Sequence, residues 1–291
     1  MNRKFFPLTL SLLASLGLVF TGFLADAKAQ GPKQLRLCHN SNLDSATDKA
    51  SHKFAEMVEK KTNGQVKIAV YPRNQLGGNR ELLEQVKMGS LDLTLMGLGT
   101  LGYMVEEYNF MQIPFAFRNQ EHIHKVLDSE VGKTIEKTVA AKGFFLLNQK
   151  WDRLPRHIAG KKAVLKMEDL KNLKVREGTP AFHEGIKLYG ASPVKHTYGT
   201  QFVAMSKKSF DALPPDVQKA LLEAAGEGAD FNNRLTWSQE EDYLKKIEKA
   251  GVKINKPDYS PFPKTLEANI AVLEKKWPAC KGLFAKIQSI K

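Results

Sequence analysis

The chain has 291 residues, of which 42% are hydrophobic and 26% charged. That supports one large domain or two ordinary ones, and excludes a disordered or fibrous chain. Two cysteines exclude a disulfide scaffold, and 44 Lys and Arg against 31 Asp and Glu leave a formal charge of +13, which suits an anionic partner.

The first elements concern export. Arg3 and Lys4 precede an apolar run from Phe5 to Leu24, and Ala27-Lys28-Ala29 has the small-x-small pattern of a cleavage site. Residues 1–29 read as a secretory signal peptide, with a retained anchor as the alternative. No cysteine follows the run, which speaks against a lipoprotein. Export would place Cys38 and Cys280 in an oxidising space, where a disulfide and two buried thiols are both open.

Beyond residue 30 the pattern predicts a strand at Leu35–Cys38, a helix over Asp44–Lys61 stopped by Asn63-Gly64, and a strand at Val66–Tyr71. A helix over Glu81–Met88 closed by Gly89 and a strand at Leu91–Met96 follow. This β-α-β-α-β order implies right-handed units on a largely parallel sheet. After an apolar loop at Asn109–Phe117 come helices near Glu121–Leu127 and Gly132–Lys142 and a strand at Phe144–Asn148. A second unit reads as a helical turn at Met167–Leu170, a strand at Leu173–Arg176, a helix at Ala181–Tyr189 and a strand at Ala191–Val194. A strand at Phe202–Ser206, a long helical pattern from Pro214 to Ala250, a strand at Val252–Ile254 and a carboxy-terminal helical segment complete the chain.

No nucleophile elbow, zinc pair or Walker loop occurs, so the residues supply no anchor for catalysis, metal or cofactor. Gly97-Leu98-Gly99-Thr100-Leu101-Gly102 matches a dinucleotide fingerprint after a strand. It lacks a clean following helix and an acidic residue at the ribose distance, and reads better as a glycine-rich turn at the carboxyl edge of the sheet. Lys60-Lys61, Lys161-Lys162 and Lys207-Lys208 are scattered pairs without interleaved aromatics, which argues against nucleic acid. Arg156 follows the loop that Trp151 opens, and Arg176 ends a predicted strand. An arginine there can hold a carboxylate in two parallel hydrogen bonds, or pair with a neighbouring Asp or Glu.

Four segments resemble the motifs of TRAP-transporter periplasmic solute-binding proteins, in family order: Tyr71–Arg80, Glu84–Asp92, Ile113–Phe117 and Glu168–Arg176. The resemblance implies an α/β fold of two lobes with a cleft between them and a long connecting helix. An amino-terminal lobe would take residues 30–150 and about 200–240, and a second lobe 151–199 and about 241–291. It implies a monomer that binds a small organic carboxylate and delivers it to TRAP permease membrane subunits, without catalysis. Arg176 matches the arginine that grips the carboxylate, Arg156 falls where a second cleft arginine often stands, and Asn40 resembles a polar position lining the amino-terminal lobe. Trp151 is counted with these ligand-binding residues. The charged cleft residues of sialic-acid binders would fall at Gly97 and Thr100, so the chain does not resemble that subgroup.

One departure stands out: only Lys195–Thr200 separates the Ala191–Val194 strand from the next, whereas a parallel crossover takes about a dozen residues. Roughly forty residues of the family pattern are missing, more than ordinary loop variation covers, which predicts a shortened second lobe. A transport-defective or sensory derivative is therefore an alternative reading, and an exported enzyme on a similar scaffold a further one.

Overall fold

The computed structural model describes residues 31–155, 162–171, 173, 184–185, 187–189, 199–255 and 257–291. Pro32–Lys291 form one compact unit. Among the described residues there is one five-stranded sheet, in the order β2-β1-β3-β5-β4. It is built from β1 (Lys33–His39), β2 (Val66–Tyr71), β3 (Leu93–Gly97), β4 (Phe144–Arg153) and β5 (Gly199–Ser206). The expected parallel part is present, since β1 pairs in parallel with β2 and β3. The rest is antiparallel: β5 runs against both β3 and β4.

The helices form where periodicity and caps coincide. α1 (Ala46–Lys61) begins at Ser45, whose side chain accepts from the Asp48 N–H, and ends where Asn63 and Gly64 both take positive φ. α2 (Asn79–Met88) stops at Gly89 with φ 77°. Asn119 caps α3 (Gln120–Asp128), and Ser129 caps α4 (Glu130–Ala141). α5 (Lys207–Asp211) leads into α6 (Pro215–Ser238), which starts with proline at its first position. α7 (Glu240–Lys249), α8 (Pro261–Lys276) and α9 (Leu283–Ser289) follow. Among the described residues no helix is long and apolar enough to cross a membrane.

Strand alternation divides the core into two halves. Leu35, Leu37, Leu93, Leu95, Val203 and Met205 face α1 and α6. Cys38, Met96, Phe202 and Ala204 face the opposite side, where α2, α3, α4 and the carboxy-terminal helices pack. The terminal stretch is docked on residues 106–122: Trp277 meets Phe110 edge-on at 6.3 Å, Ile287 O lies 3.0 Å from His122 Nε2, and Gln288 Nε2 donates to Ala116 O at 2.6 Å.

Three expectations change. The pattern over Pro214–Ala250 is two helices that meet at Gln239, because α6 buries a face and α7 buries none of its residues. Val252–Ile254 is irregular; Val252 is exposed and no strand pairs with it among the described residues. β4 runs five residues past Asn148, to Arg153. The predicted signal peptide, residues 174–176 of the Leu173–Arg176 strand, the Ala191–Val194 strand, and residues 181–183 and 186 of the Ala181–Tyr189 helix lie outside the described residues.

Candidate functional site

In an open α/β sheet the loops beyond the carboxyl ends of the strands leave a crevice. Here β1 runs out into Asn40, Ser41 and Asn42, and the chain turns back at Ser45 to begin α1 with Ala46 and Thr47. β4 ends beside them with Asp152, Arg153 and Leu154, and Thr236, Gln239 and Tyr243 close the far side. Together they line a cavity of about 370 Å³. Its polar lining is amides, hydroxyls, one guanidinium and the Asp152 carboxylate, a lining that suits a polar small molecule.

Each wall is held by buried polar contacts. Below Asn40, the fully buried His39 lies between two partners: Nδ1 accepts from the Ser41 N–H at 3.2 Å, so Nε2 carries the hydrogen donated to Asp48 Oδ1 at 3.1 Å. The other Asp48 oxygen accepts from the Asp44 N–H at 2.9 Å. Burial pushes the imidazole below the usual histidine range, against the attraction of Asp48. The pair is thus a neutral histidine and a carboxylate that fix the β1 to α1 turn. Gln201, fully buried on β5, accepts from Thr47 Oγ1 at 2.8 Å and places Nε2 3.5 Å from Ser41 Oγ. Asn40 Nδ2 donates to Asn79 Oδ1 at 3.2 Å, which ties the wall to α2.

On the β4 side, Asp152 binds three elements together. Oδ1 accepts from Gln120 at 2.6 Å and lies 2.7 Å from His124 Nε2, and Oδ2 accepts from the Trp237 indole at 2.8 Å. The Asp152 backbone also bonds to Asn232 and Asn233 of α6. A carboxylate with three N–H partners is an anchor for the end of β4 and not an acid or base open to a substrate.

Of the expected site residues, Asn40 lines the cavity. Trp151 does not. It is fully buried under α6, meets Phe54 edge-on at 6.5 Å and donates its indole N–H to Ala225 O at 3.2 Å. The β pleat explains the placement, since Trp151 sits opposite Gln201 on the face covered by α1 and α6. Its part is to pack the core behind the cavity. Arg156 and Arg176 lie outside the described residues. Residues that the motifs did not single out, Asp152, Arg153, Gln201 and the His39–Asp48 pair, make up much of the wall and its support. Their signal was position alone, close to strand ends or, for Asp48, in the first turn of α1.

The glycine motif forms a 3-10 turn, Leu98–Tyr103, whose glycines admit close neighbours. A Cβ at Gly99 would fall 1.7 Å from the Gln112 side chain, and one at Gly97 2.6 Å from Arg153 Nη1. Side chains of the chain itself thus occupy the space a nucleotide phosphate would need. Cys38 and Cys280 are both free and buried; Cys280 Sγ donates to Glu106 O at 3.4 Å, and burial pushes its thiol up to about 12. Among the described residues no group of three or more His, Cys, Asp or Glu could hold a metal ion.

The family model described as bacterial extracellular solute-binding protein, family 7, matches residues 37–200 and 194–276. An uncharacterized protein of Haemophilus influenzae is 29% identical, covering 88% of this chain and 91% of its own. That alignment runs over 300 positions, more than this chain has residues, so it leaves positions of the relative without a counterpart here. The 2,3-diketo-L-gulonate-binding periplasmic protein of Escherichia coli is 23% identical, over 76% of this chain and 80% of its own. A solved TRAP periplasmic solute-binding protein from Xanthobacter autotrophicus, with bound β-D-galacturonate, superposes with a TM-score of 0.76 at 25% identity, covering 89% of this chain and all of the other. One from Roseobacter denitrificans, with bound β-D-glucuronate, gives a TM-score of 0.82 at 24% identity and the same coverage.

Proposed function

The chain belongs to the bacterial extracellular solute-binding proteins of family 7, and from that premise we propose that it captures a small organic acid in the periplasm and hands it to a TRAP-type permease. The observation that carries the reading is the polar cavity at the carboxyl ends of β1 and β4, where Asn40, Thr47 and Arg153 face one space. Galacturonate, glucuronate and 2,3-diketo-L-gulonate, named with the relatives, are hydroxylated monoacids, which such a lining suits. By resemblance Arg176 grips the carboxylate with its planar fork and Arg156 adds a second contact. The protein works as a monomer after cleavage of residues 1–29, and two lobes close on the acid without forming a covalent bond.

The shortened stretch after Val194 supports a second reading. The family model resumes at residue 194 before its first match has ended at 200, as expected where a block of family positions has been lost between them. A chain that lacks part of its second lobe could bind an acid as a sensor without engaging a permease. Mass spectrometry of small molecules retained by the protein purified from periplasm, followed by a thermal-shift panel of uronates, aldonates and dicarboxylates, tests binding. Restoration of uptake in a strain lacking its own binding protein then separates transport from sensing. A protein that retains no acid and is stabilised by none would end both readings.

A further inference from the structure

The cavity takes up the carboxyl ends of β1 and β4, and the opposite edge of the sheet carries a surface of another kind. There β4 starts at Phe144 and β5 ends at Ser206, and α2 and α4 stop beside them at Met88 and Ala141. Contacts around two glycines bring these ends together. Lys207 donates its backbone N–H to Gly143 O at 2.8 Å, a Cβ on Gly143 would stand 3.8 Å from Lys87 Cγ, and one on Gly89 would stand 3.9 Å from Ser209 Oγ. Lys142 directly precedes Gly143, and Arg36 reaches across from β1 to donate to Ser90 O. These cations and Lys208 share one pole with Met88, which is 73% exposed, more than any other large hydrophobic side chain among the described residues.

Most of this charge is left uncancelled. Lys207 pairs with Asp211 at 2.6 Å, and Asp92 accepts from the Arg36 backbone N–H at 2.8 Å, but among the described residues Lys87, Lys142 and Lys208 form no ion pair. Lysines on α1, α3 and α4 are by contrast matched by acids one turn away, as in Lys53–Glu56, Lys125–Glu121 and Lys133–Glu130. The two helix ends add about half a negative charge each, which leaves the pole positive. We propose that this pole is a docking surface for an anionic phospholipid bilayer. Compact ammonium groups on flexible stems meet headgroup phosphates as point charges, and each basic residue near an anionic surface strengthens binding about fivefold. The flexible thioether of Met88 enters the boundary between headgroups and acyl chains. An acidic protein would use the charge but leave the exposure of Met88 without a reason. Because pole and cavity lie at opposite edges of the sheet, a protein held this way keeps its cavity open to solvent.

Co-sedimentation of the mature protein with vesicles tests this, with phosphatidylcholine alone set against phosphatidylcholine containing one-third phosphatidylglycerol. At low salt the protein should bind the anionic vesicles at least about tenfold more strongly, and salt near 1 M, where charges are screened within about 3 Å, should remove most of the difference. Combined Lys87→Gln, Lys142→Gln and Lys208→Gln should lower binding to anionic vesicles by about tenfold or more. Met88→Ser should lower it about threefold and leave its salt dependence unchanged. Combined Lys246→Gln, Lys249→Gln and Lys253→Gln removes the same charge from α7 and the stretch after it, on the cavity side, and should change binding less than about twofold. Equal losses in the two triple variants would mean attraction to net charge alone and would overturn the assignment. So would equal binding to neutral and anionic vesicles, or capture by immobilised heparin with none by anionic vesicles. No outcome depends on acid binding, so the proposed function and this docking surface stand or fall separately.

Discussion

His39 shows how one buried side chain sets the geometry of the cavity wall. Its two nitrogens are committed, one accepting from Ser41 and one donating to Asp48, so protonation would break the contact that shapes the turn after β1. Burial holds both His39 and His122 below the ordinary value of 6.5. The unfolded chain therefore takes up protons first as the pH falls. Stability contributed by these neutral histidines is fully present above about 6.5 and declines below it. Melting temperatures between pH 7.5 and 5.5 should fall with acidity, and more steeply for the wild type than for His39→Gln; equal slopes would remove His39 from the effect. At the proposed carboxylate, Arg176→Ala should weaken acid binding by about tenfold or more, Arg176→Lys should recover little, and Arg156→Ala should cost less than Arg176→Ala. Titration calorimetry ranks them, and a weaker Arg156 variant would reverse the roles. Asn40 could be read from the sequence because it directly follows an obvious strand. Trp151 misled because an aromatic beside a motif arginine looks the same in sequence whether it faces a ligand or a core.

At the level of elements, α6 decides how close the cavity's rear support can come. Gly226 and Gly228 lie one turn apart at most on this helix, yet a Cβ at 226 would meet nothing within 4 Å, whereas one at 228 would stand 2.8 Å from the Trp151 ring. Gly226→Ala should therefore raise stability by about 0.5–1 kcal/mol through helix propensity. Gly228→Ala should lose about 1–3 kcal/mol through overpacking against a rigid, buried indole. Urea denaturation of the two variants is the check, and equal shifts would mean that α6 can move off Trp151 without cost. α1, α3 and α4 were legible because a buried stripe and a side-chain cap mark each of them, whereas α7 buries no residue and has no side-chain cap, so its break from α6 was not. The full length of β4 was not, because register shifts between Leu146 and Asn148 and between Asn148 and Trp151 interrupt the alternation by which a strand is recognised. Val252–Ile254 shows the converse: among the described residues no strand pairs with it, and strand-forming residues alone do not make a strand.

Over the whole molecule, the parallel half of the sheet followed from β-α-β order and crossover length. The antiparallel insertion of β5 between β3 and β4 did not, since it joins segments far apart in the chain and no local pattern encodes that pairing. The proposed division gives residues 241–291 to the second lobe, while Trp277, Ile287 and Gln288 are docked on residues 106–122. Motion of one lobe would therefore have to leave that docking intact. The missing block offers a direct test of the shortened lobe: inserting between Val194 and Lys195 the corresponding segment of the Haemophilus influenzae relative should raise acid affinity, and no gain would mean that the block is dispensable for binding. The central claim is that this chain binds a small organic acid. Titration calorimetry of the mature protein with galacturonate, glucuronate, galactarate and succinate is predicted to give saturable one-to-one binding for at least one of them, reduced about tenfold or more in Arg176→Ala. Absence of saturable heat with all four, from protein that melts cooperatively, would contradict it.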